Sequence, residues 1–270
     1  MGGRYDIEIY PNGALGQERD LLEGMQMGTV DLLNSNCSVV SNFVPEFYFA
    51  DIPFMYPGYD IVDKVMADGT IPEYFRKGCE KAGFIMLGIG ENGVRHLFYN
   101  GSPIQSVADL NGQKIRTQEN TMHLEFWKML GVSSVSMNMS DALTSMQQGA
   151  IDGMEFPLGL GQQSGLHEVT KNLTFTYHIY VMAPTLMRPD LFNAMSSEDQ
   201  ALMYEMGDEA SKYARSVQRD QEAEAIEIIK DYGNNIYYAD VDEFKAKIAD
   251  FYDKYNGQYG DLIAVIDGLR

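Results

Sequence analysis

The chain has 270 residues, 45% of them hydrophobic, with 39 acidic against 20 basic residues and a formal charge of −19. That length builds two compact lobes with cores of their own, and no run of about 18 apolar residues offers a transmembrane helix. A pI near 4.4 argues against nucleic acid, whose binding needs clustered Lys and Arg.

Met1-Gly-Gly-Arg leads at once into Tyr5-Asp-Ile7-Glu-Ile9, which alternates like a strand before Pro11-Asn-Gly13 breaks it. The chain thus starts abruptly inside a domain, with no signal peptide; a cleaved export signal, an engineered start and a truncated gene would all look alike. Glu18 to Met27 reads as a helix with Leu21, Leu22 and Met25 on one face, ended by Gly28. Val30 to Leu33 is a short buried strand opening into polar Asn34-Ser-Asn36-Cys-Ser38. Residues 45–59 are aromatic and proline-rich. Asp60 to Lys81 reads as helix with a break near Gly69, and Phe84 to Leu87 as a buried strand.

From Asn120 the pattern repeats. Met122, Phe126, Met129 and Leu130 share a helix face and Gly131 stops the helix. Val132 to Met139 is a strand, and Ser140 and Asp141 cap a helix that ends at Gly149. A strand follows and ends at Phe156. Tyr177 to Met187 is a long apolar strand. Ser197 to Tyr232 has helix-forming composition without proline, interrupted only by Gly207; at 1.5 Å per residue it spans about 50 Å, more than one lobe needs. This alternation predicts α/β lobes with mainly parallel sheets. Ligands of such sheets sit beyond the carboxyl ends of strands, and Arg116, Phe156 and Asn34 to Ser38 all fall at predicted strand ends.

Gly88-Ile-Gly90-Glu-Asn-Gly93 matches the dinucleotide fingerprint in letters only. The fingerprint needs a helix next, whereas Val94-Arg-His-Leu-Phe-Tyr99 is β-rich, so the glycines read as a bend where the chain leaves the first lobe. Cys37 and Cys79 read as two reduced, buried thiols. The four histidines show no ligand spacing, and neither metal nor cofactor is expected. No nucleophile elbow, P-loop or acid–base pair stands out.

Arg95 and Arg116 share the stretch 82–127 with only one other cation, Lys114. They are either surface or structural arginines, or a clamp in which a guanidinium meets a carboxylate through two planar hydrogen bonds. Net charge of this size speaks first to solubility, so an anionic ligand needs such a local positive site. Trp127 reads as core or part of a pocket wall; Phe156, at a strand end before Pro157, has the stronger claim to a pocket.

Four blocks in order resemble the substrate-binding proteins of tripartite ATP-independent periplasmic (TRAP) transporters, over nearly the whole chain. They are Gly3-Arg-Tyr-Asp-Ile-Glu-Ile-Tyr-Pro11-Asn-Gly13-Ala-Leu15-Gly16-Gln-Glu18-Arg19, then Asp51-Ile-Pro53-Phe54, Leu110-Asn-Gly112-Gln-Lys-Ile-Arg116, and Gln148-Gly149-Ala-Ile-Asp152-Gly153-Met-Glu155. The resemblance implies a two-lobed α/β periplasmic-binding-protein-like fold with a cleft between lobes and the helix 197–232 spanning both. The first lobe would take residues 1–92 and about 182–220, the second 93–181 and about 221–270. It implies a periplasmic or otherwise extracytoplasmic protein that closes about a hinge on a small carboxylate and hands it to the subunits of a TRAP membrane permease.

Arg116 matches the arginine that salt-bridges the ligand carboxylate and Arg95 a second, more variable one. Phe156 stands where sugar-acid binders often carry asparagine, and Tyr177 to Tyr180 where a further pocket residue is common. With Asn36, Ser38 and Glu155 these make the expected ligand-binding set. Family members also carry a strand and helix ahead of the Gly3 block, which this sequence does not include. Phe156 removes a reader of hydroxyl groups and moves the expected ligand from polyhydroxy sugar acids towards a less polar oxo- or hydroxy-acid. Two rivals remain: an enzyme turning over a sugar acid or oxo-acid in the same cleft, and a sensor or scaffold using the aromatic stretch 47–59 as a contact face.

Overall fold

The computed structural model describes residues 3–270. Its first regular element is not the strand expected at Tyr5–Ile9: that segment is irregular and unpaired, and Ile7 and Ile9 are exposed. Alternation predicts a strand only where a neighbour can take its hydrogen bonds, and among the described residues this segment has none. The helices are α1 (Glu18–Gln26), α2 (Cys37–Val40), α3 (Tyr59–Asp68), α4 (Thr70–Lys81), α5 (Thr121–Met129), α6 (Met139–Gln147), α7 (Leu158–Gln163), α8 (Leu166–Val169), α9 (Pro189–Asn193), α10 (Ser197–Tyr232), α11 (Val241–Lys247) and α12 (Ala249–Leu269). The aromatic stretch winds into a 3-10 helix over Pro45–Asp51. Asn138, rather than Ser140 or Asp141, caps α6, accepting from the backbone N–H of Asp141.

The strands are β1 (Leu32–Asn34), β2 (Ile85–Tyr99), β3 (Lys114–Thr117), β4 (Ser133–Ser136), β5 (Gly153–Pro157), β6 (Asn172–Phe175), β7 (Tyr180–Met187) and β8 (Asn235–Tyr238). Strand β2 organises them. Its first part, Ile85–Val94, pairs antiparallel with β7, which carries β1 on its other edge. Its second part, Arg95–Tyr99, pairs antiparallel with β5 and, over Leu97–Tyr99, with β6. Strands β3 and β4 extend the second sheet in parallel with β5, and β8 extends it beside β6. The sheets are therefore mixed rather than mainly parallel, because one strand serves both and runs against its neighbours.

The glycine run 88–93 is thus not an exit bend. The strand continues through it, with irregularities between Met86 and Gly88 and between Glu91 and Gly93. Gly88 and Gly207 are both needed because α10 crosses the strand there: a Cβ on Gly88 would collide with the Gly207 carbonyl oxygen, and one on Gly207 would sit 2.6 Å from the Leu87 Cβ and 2.7 Å from its carbonyl oxygen. Backbones meet at this crossing, and only glycine on both sides permits it. Helix α10 itself runs unbroken for 36 residues through Gly207.

One core gathers Phe47, Phe49, Phe75, Phe84, Trp127, Phe251 and Tyr259 beneath α3, α4, α5 and α12. A second gathers Phe98, Met146, Met154, Leu158 and Ile229. Helix α12 returns to α3 and, through Tyr259 against Phe49, to the 3-10 helix; Tyr252 Oη donates to Pro53 O at 3.1 Å in the segment between the two. Both cysteines are free and buried. Trp127 is fully buried core.

Candidate functional site

A cavity of about 220 Å³ opens where the ends of β3 and β5 face α1 and α2. Its wall holds Arg116, Gln118, Glu119 and Phe156 on the β3–β5 side, and Gln17, Glu18, Asn36 and Val39 on the other. Asn92, Asn138, Met139, Pro157 and Leu160 complete it.

Arg116 is the third residue of β3, hydrogen-bonded between Val135 of β4 and Met154 of β5, and is 3% exposed. Its Nε and Nη2 both donate to Met137 O, at 2.8 and 2.5 Å. Its Nη1 is buried and has no protein partner. Burial lowers the Arg116 pKa to about 10, against the opposing pull of Glu155, so the guanidinium stays charged at neutral pH. Two nitrogens fix its plane and the third is left for something else.

Across the cavity, Glu18 stands in the first turn of α1. Its Oε1 accepts the Asn36 backbone N–H at 2.7 Å and the Ser35 hydroxyl at 3.0 Å. Burial raises the Glu18 pKa, opposed by those two hydrogen bonds and by the charges of Arg116 and Arg95. Asn36 caps α2 with its Oδ1 on the Ser38 N–H, and its Nδ2 donates to Gln118 Oε1 at 2.8 Å. The two sides of the cavity are thereby joined at its floor.

Behind this wall lies a buried polar chain. Arg95 is fully buried; its Nε is bonded to the Glu155 carboxylate and its Nη2 donates to Glu155 O at 2.7 Å. The guanidinium lies 5.5 Å from the Phe156 ring centre, a cation–π distance. Glu155 also accepts the Thr117 hydroxyl at 2.6 Å and faces His178 Nε2 at 3.4 Å and His123 Nδ1 at 3.6 Å. Burial alone would raise the Glu155 pKa, but Arg95 and the two histidines hold it well below the usual carboxylate value. His123 Nε2 continues the chain to Asp51 Oδ1 at 3.2 Å; Asp51 also takes the Ser38 hydroxyl and, at 2.8 Å, Asn120 Nδ2.

Of the expected ligand-binding set, the cavity is bordered by Arg116, Phe156 and Asn36. Arg95, Glu155 and Ser38 lie in the buried chain behind it. Tyr180 points elsewhere, its hydroxyl donating to Glu91 Oε2 at 2.5 Å beside Arg219. Tyr177 is 47% exposed with φ +49°, its ring against His96 and Phe175. Neither tyrosine borders the cavity. The residues that sequence reasoning missed are Glu18, Gln118, Asn92 and Asn138; Glu18 lay inside a quoted block, but an acid in a helix's first turn has a sufficient local explanation in the helix dipole.

A family model described as bacterial extracellular solute-binding protein, family 7 (DctP), matches residues 1–258. The chain belongs to this family. A solute-binding protein of Verminephrobacter eiseniae is 32% identical over 270 residues, covering 100% of this chain and 80% of that protein. Among solved structures, a TRAP periplasmic solute binding protein from Polaromonas sp. JS666, bound to D-erythronate, aligns with a TM-score of 0.94 at 32% identity. It covers 98% of this chain and 88% of that one. One from Bordetella bronchispeptica, with density interpreted as pantoate, gives 0.93 at 32% identity, covering 100% and 88%. The DctP chain therefore has the two-lobed α/β architecture of TRAP solute-binding proteins and is a solute-binding protein. No helix among the described residues is long and apolar enough to cross a membrane.

Proposed function

We propose that this DctP protein captures a hydroxy- or oxo-carboxylate of about four to six carbons, a size suited to a cavity of about 220 Å³. The observation that carries the reading is Arg116, a residue of the cavity wall: it is anchored on Met137 O through two nitrogens, and its Nη1 is buried and unpartnered. A buried donor without a protein partner is costly and is expected to find one. A carboxylate oxygen is the partner that also matches its charge.

Asn36 and Gln118 would contact the rest of the solute, and Phe156 with Val39, Met139 and Leu160 would pack its carbons. Arg95 and Glu155 would act from behind, holding the Phe156 ring and the end of β5. The two neighbours at 32% identity, one with the four-carbon erythronate and one with pantoate, support a short hydroxy acid over a hexuronate. Lobes at residues 1–92 with about 182–220, and 93–181 with about 221–270, would close about β2 and α10. Contacts to both lobes favour the closed form, since only differential affinity shifts such an equilibrium. The closed form would be read by a TRAP permease outside the cytoplasm.

Native mass spectrometry of the purified protein, before and after denaturation, tests this reading. A carboxylic acid of this size released intact supports a binder. A chemically altered product, or turnover on incubation, would favour the enzyme instead.

A further inference from the structure

Strand β2 runs through both sheets, and the short connection 176–179 carries the chain back from β6 of one sheet to β7 of the other. That return holds Tyr177 at φ +49°. Left-handed backbone is unfavourable for any residue with a Cβ and rare for a bulky one, so its surroundings must enforce it. Both flanking residues are fully buried and bonded. Thr176 Oγ1 lies 2.7 Å from His178 Nδ1 and donates to Arg95 O at 3.4 Å. His178 Nε2 faces Glu155 of β5, while its carbonyl accepts the Phe54 N–H at 2.8 Å. The Tyr177 N–H donates to His96 Nδ1 at 3.3 Å. Burial holds the His96 pKa well below its ordinary value, which keeps that ring neutral and able to accept.

With Tyr177 in this conformation the cleft is bridged directly. Asn36 Nδ2 donates to Gln118 Oε1 at 2.8 Å, Asn42 Nδ2 to Glu119 O at 2.7 Å and Gln17 Nε2 to Ser140 Oγ at 3.3 Å, each pair spanning the proposed lobes. We propose that Tyr177 is a strained joint of the hinge: its left-handed backbone belongs to the closed form, in which these bridges are made, and relaxes to negative φ when the lobes part. The joint then acts as a spring. Closing the empty protein bears the cost of the left-handed residue, and only solute contacts to both lobes offset it. Tyr177 thereby sets how far the empty protein stays open without bordering the cavity. The inference rests on the proposed division into lobes, and not on which acid is bound.

The test separates backbone from ring. Tyr177→Gly and Tyr177→Ala lose the same ring, but only glycine takes positive φ freely. By titration calorimetry with D-erythronate and with pantoate, the glycine variant should bind about 5- to 30-fold tighter than the alanine variant, the worth of left-handed backbone to a residue with a Cβ. Equal affinities, or tighter binding by the alanine variant, overturn the proposal: φ would then be positive in both forms, and glycine would only raise the melting temperature. A second arm needs no solute. Spin labels go on Glu23→Cys in α1 and Gln147→Cys in α6, both exposed, while the native thiols are buried. Without ligand, the shorter inter-label distance should be more populated in the glycine than in the alanine variant, and identical distributions overturn the proposal. If neither acid binds the unaltered protein, the short-carboxylate reading fails, and the ligand-free distances alone decide the hinge.

Discussion

His123 Nε2 lies 3.2 Å from Asp51 Oδ1 with both side chains fully buried, and Glu155 faces the opposite ring nitrogen at 3.6 Å. Burial alone would depress this imidazole, but the hydrogen bonds and charges of Asp51 and then Glu155 outweigh it, and its pKa is raised above 6.5. A raised folded-state pKa contributes stability that is fully present below the unfolded value and is lost as pH rises through the folded one. Wild type should therefore lose unfolding free energy on the alkaline side of neutrality, and His123→Gln should lack that slope. Urea titrations across pH 6–9 measure it; parallel profiles for the two proteins would sink the idea.

His178 behaves in the opposite sense. Burial, only partly opposed by Glu155, lowers its pKa to about 4. The folded state then binds fewer protons than the unfolded one between about pH 6.5 and 4, so stability falls as pH falls through that window. Glu155, held below its usual value, adds to the loss further into acid. His178→Phe should flatten the upper part of this acid limb, read from melting temperatures at pH 4.5, 5.5 and 6.5.

Replacing Arg116 by Ala should weaken solute binding by about 2–5 kcal/mol, or roughly 30- to several thousand-fold. Arg116→Lys should recover little of this, because one ammonium cannot hold Met137 O and present a second planar donor to the cavity. Near-wild-type affinity in both variants, by calorimetry with the copurified acid, would remove the clamp.

Phe156→Asn should trade apolar packing for an amide. The loss for a branched hydroxy acid is expected at about 1.5–3 kcal/mol, the worth of a buried large apolar side chain, while hexuronates gain in relative affinity. A competition series of pantoate against D-glucuronate reads this out; an unchanged preference would mean that the ring does not touch the solute.

Gly207→Ala places a methyl 2.6 Å from the Leu87 Cβ, with the backbone of β2 directly behind. Neither neighbour is the free end of a flexible chain. Overpacking of this kind costs about 1–3 kcal/mol, and the thermal midpoint should drop accordingly. An unchanged midpoint would show that the crossing of α10 over β2 can spread.

Much of the fold is legible in the sequence. Helix α10 has the expected bounds, because 36 residues without proline and with a serine cap leave few alternatives. The break between α3 and α4 falls at Gly69. The glycine run 88–93 misleads because local rules treat glycine as a turn former, whereas here it makes room for a helix distant in sequence. Tyr5–Ile9 misleads because periodicity reports a preference, and pairing is a property of two segments. Of the site, Arg116 is legible through its block. The chain Asp51–His123–Glu155 is not, since it is assembled from three separated segments, and each member alone looks like an ordinary polar residue.

Strand β2 gives its first ten residues to one sheet and its last five to the other. Cutting the chain at residue 94 would therefore part β7 from both of its partners, β1 and the first ten residues of β2, and leave it with two unpaired edges. The protein should melt in a single cooperative transition despite its two cores, and gene fragments encoding either half should aggregate. Motion between the halves would have to be absorbed by twisting of β2, by α10 and by the short connection 176–179 between β6 and β7.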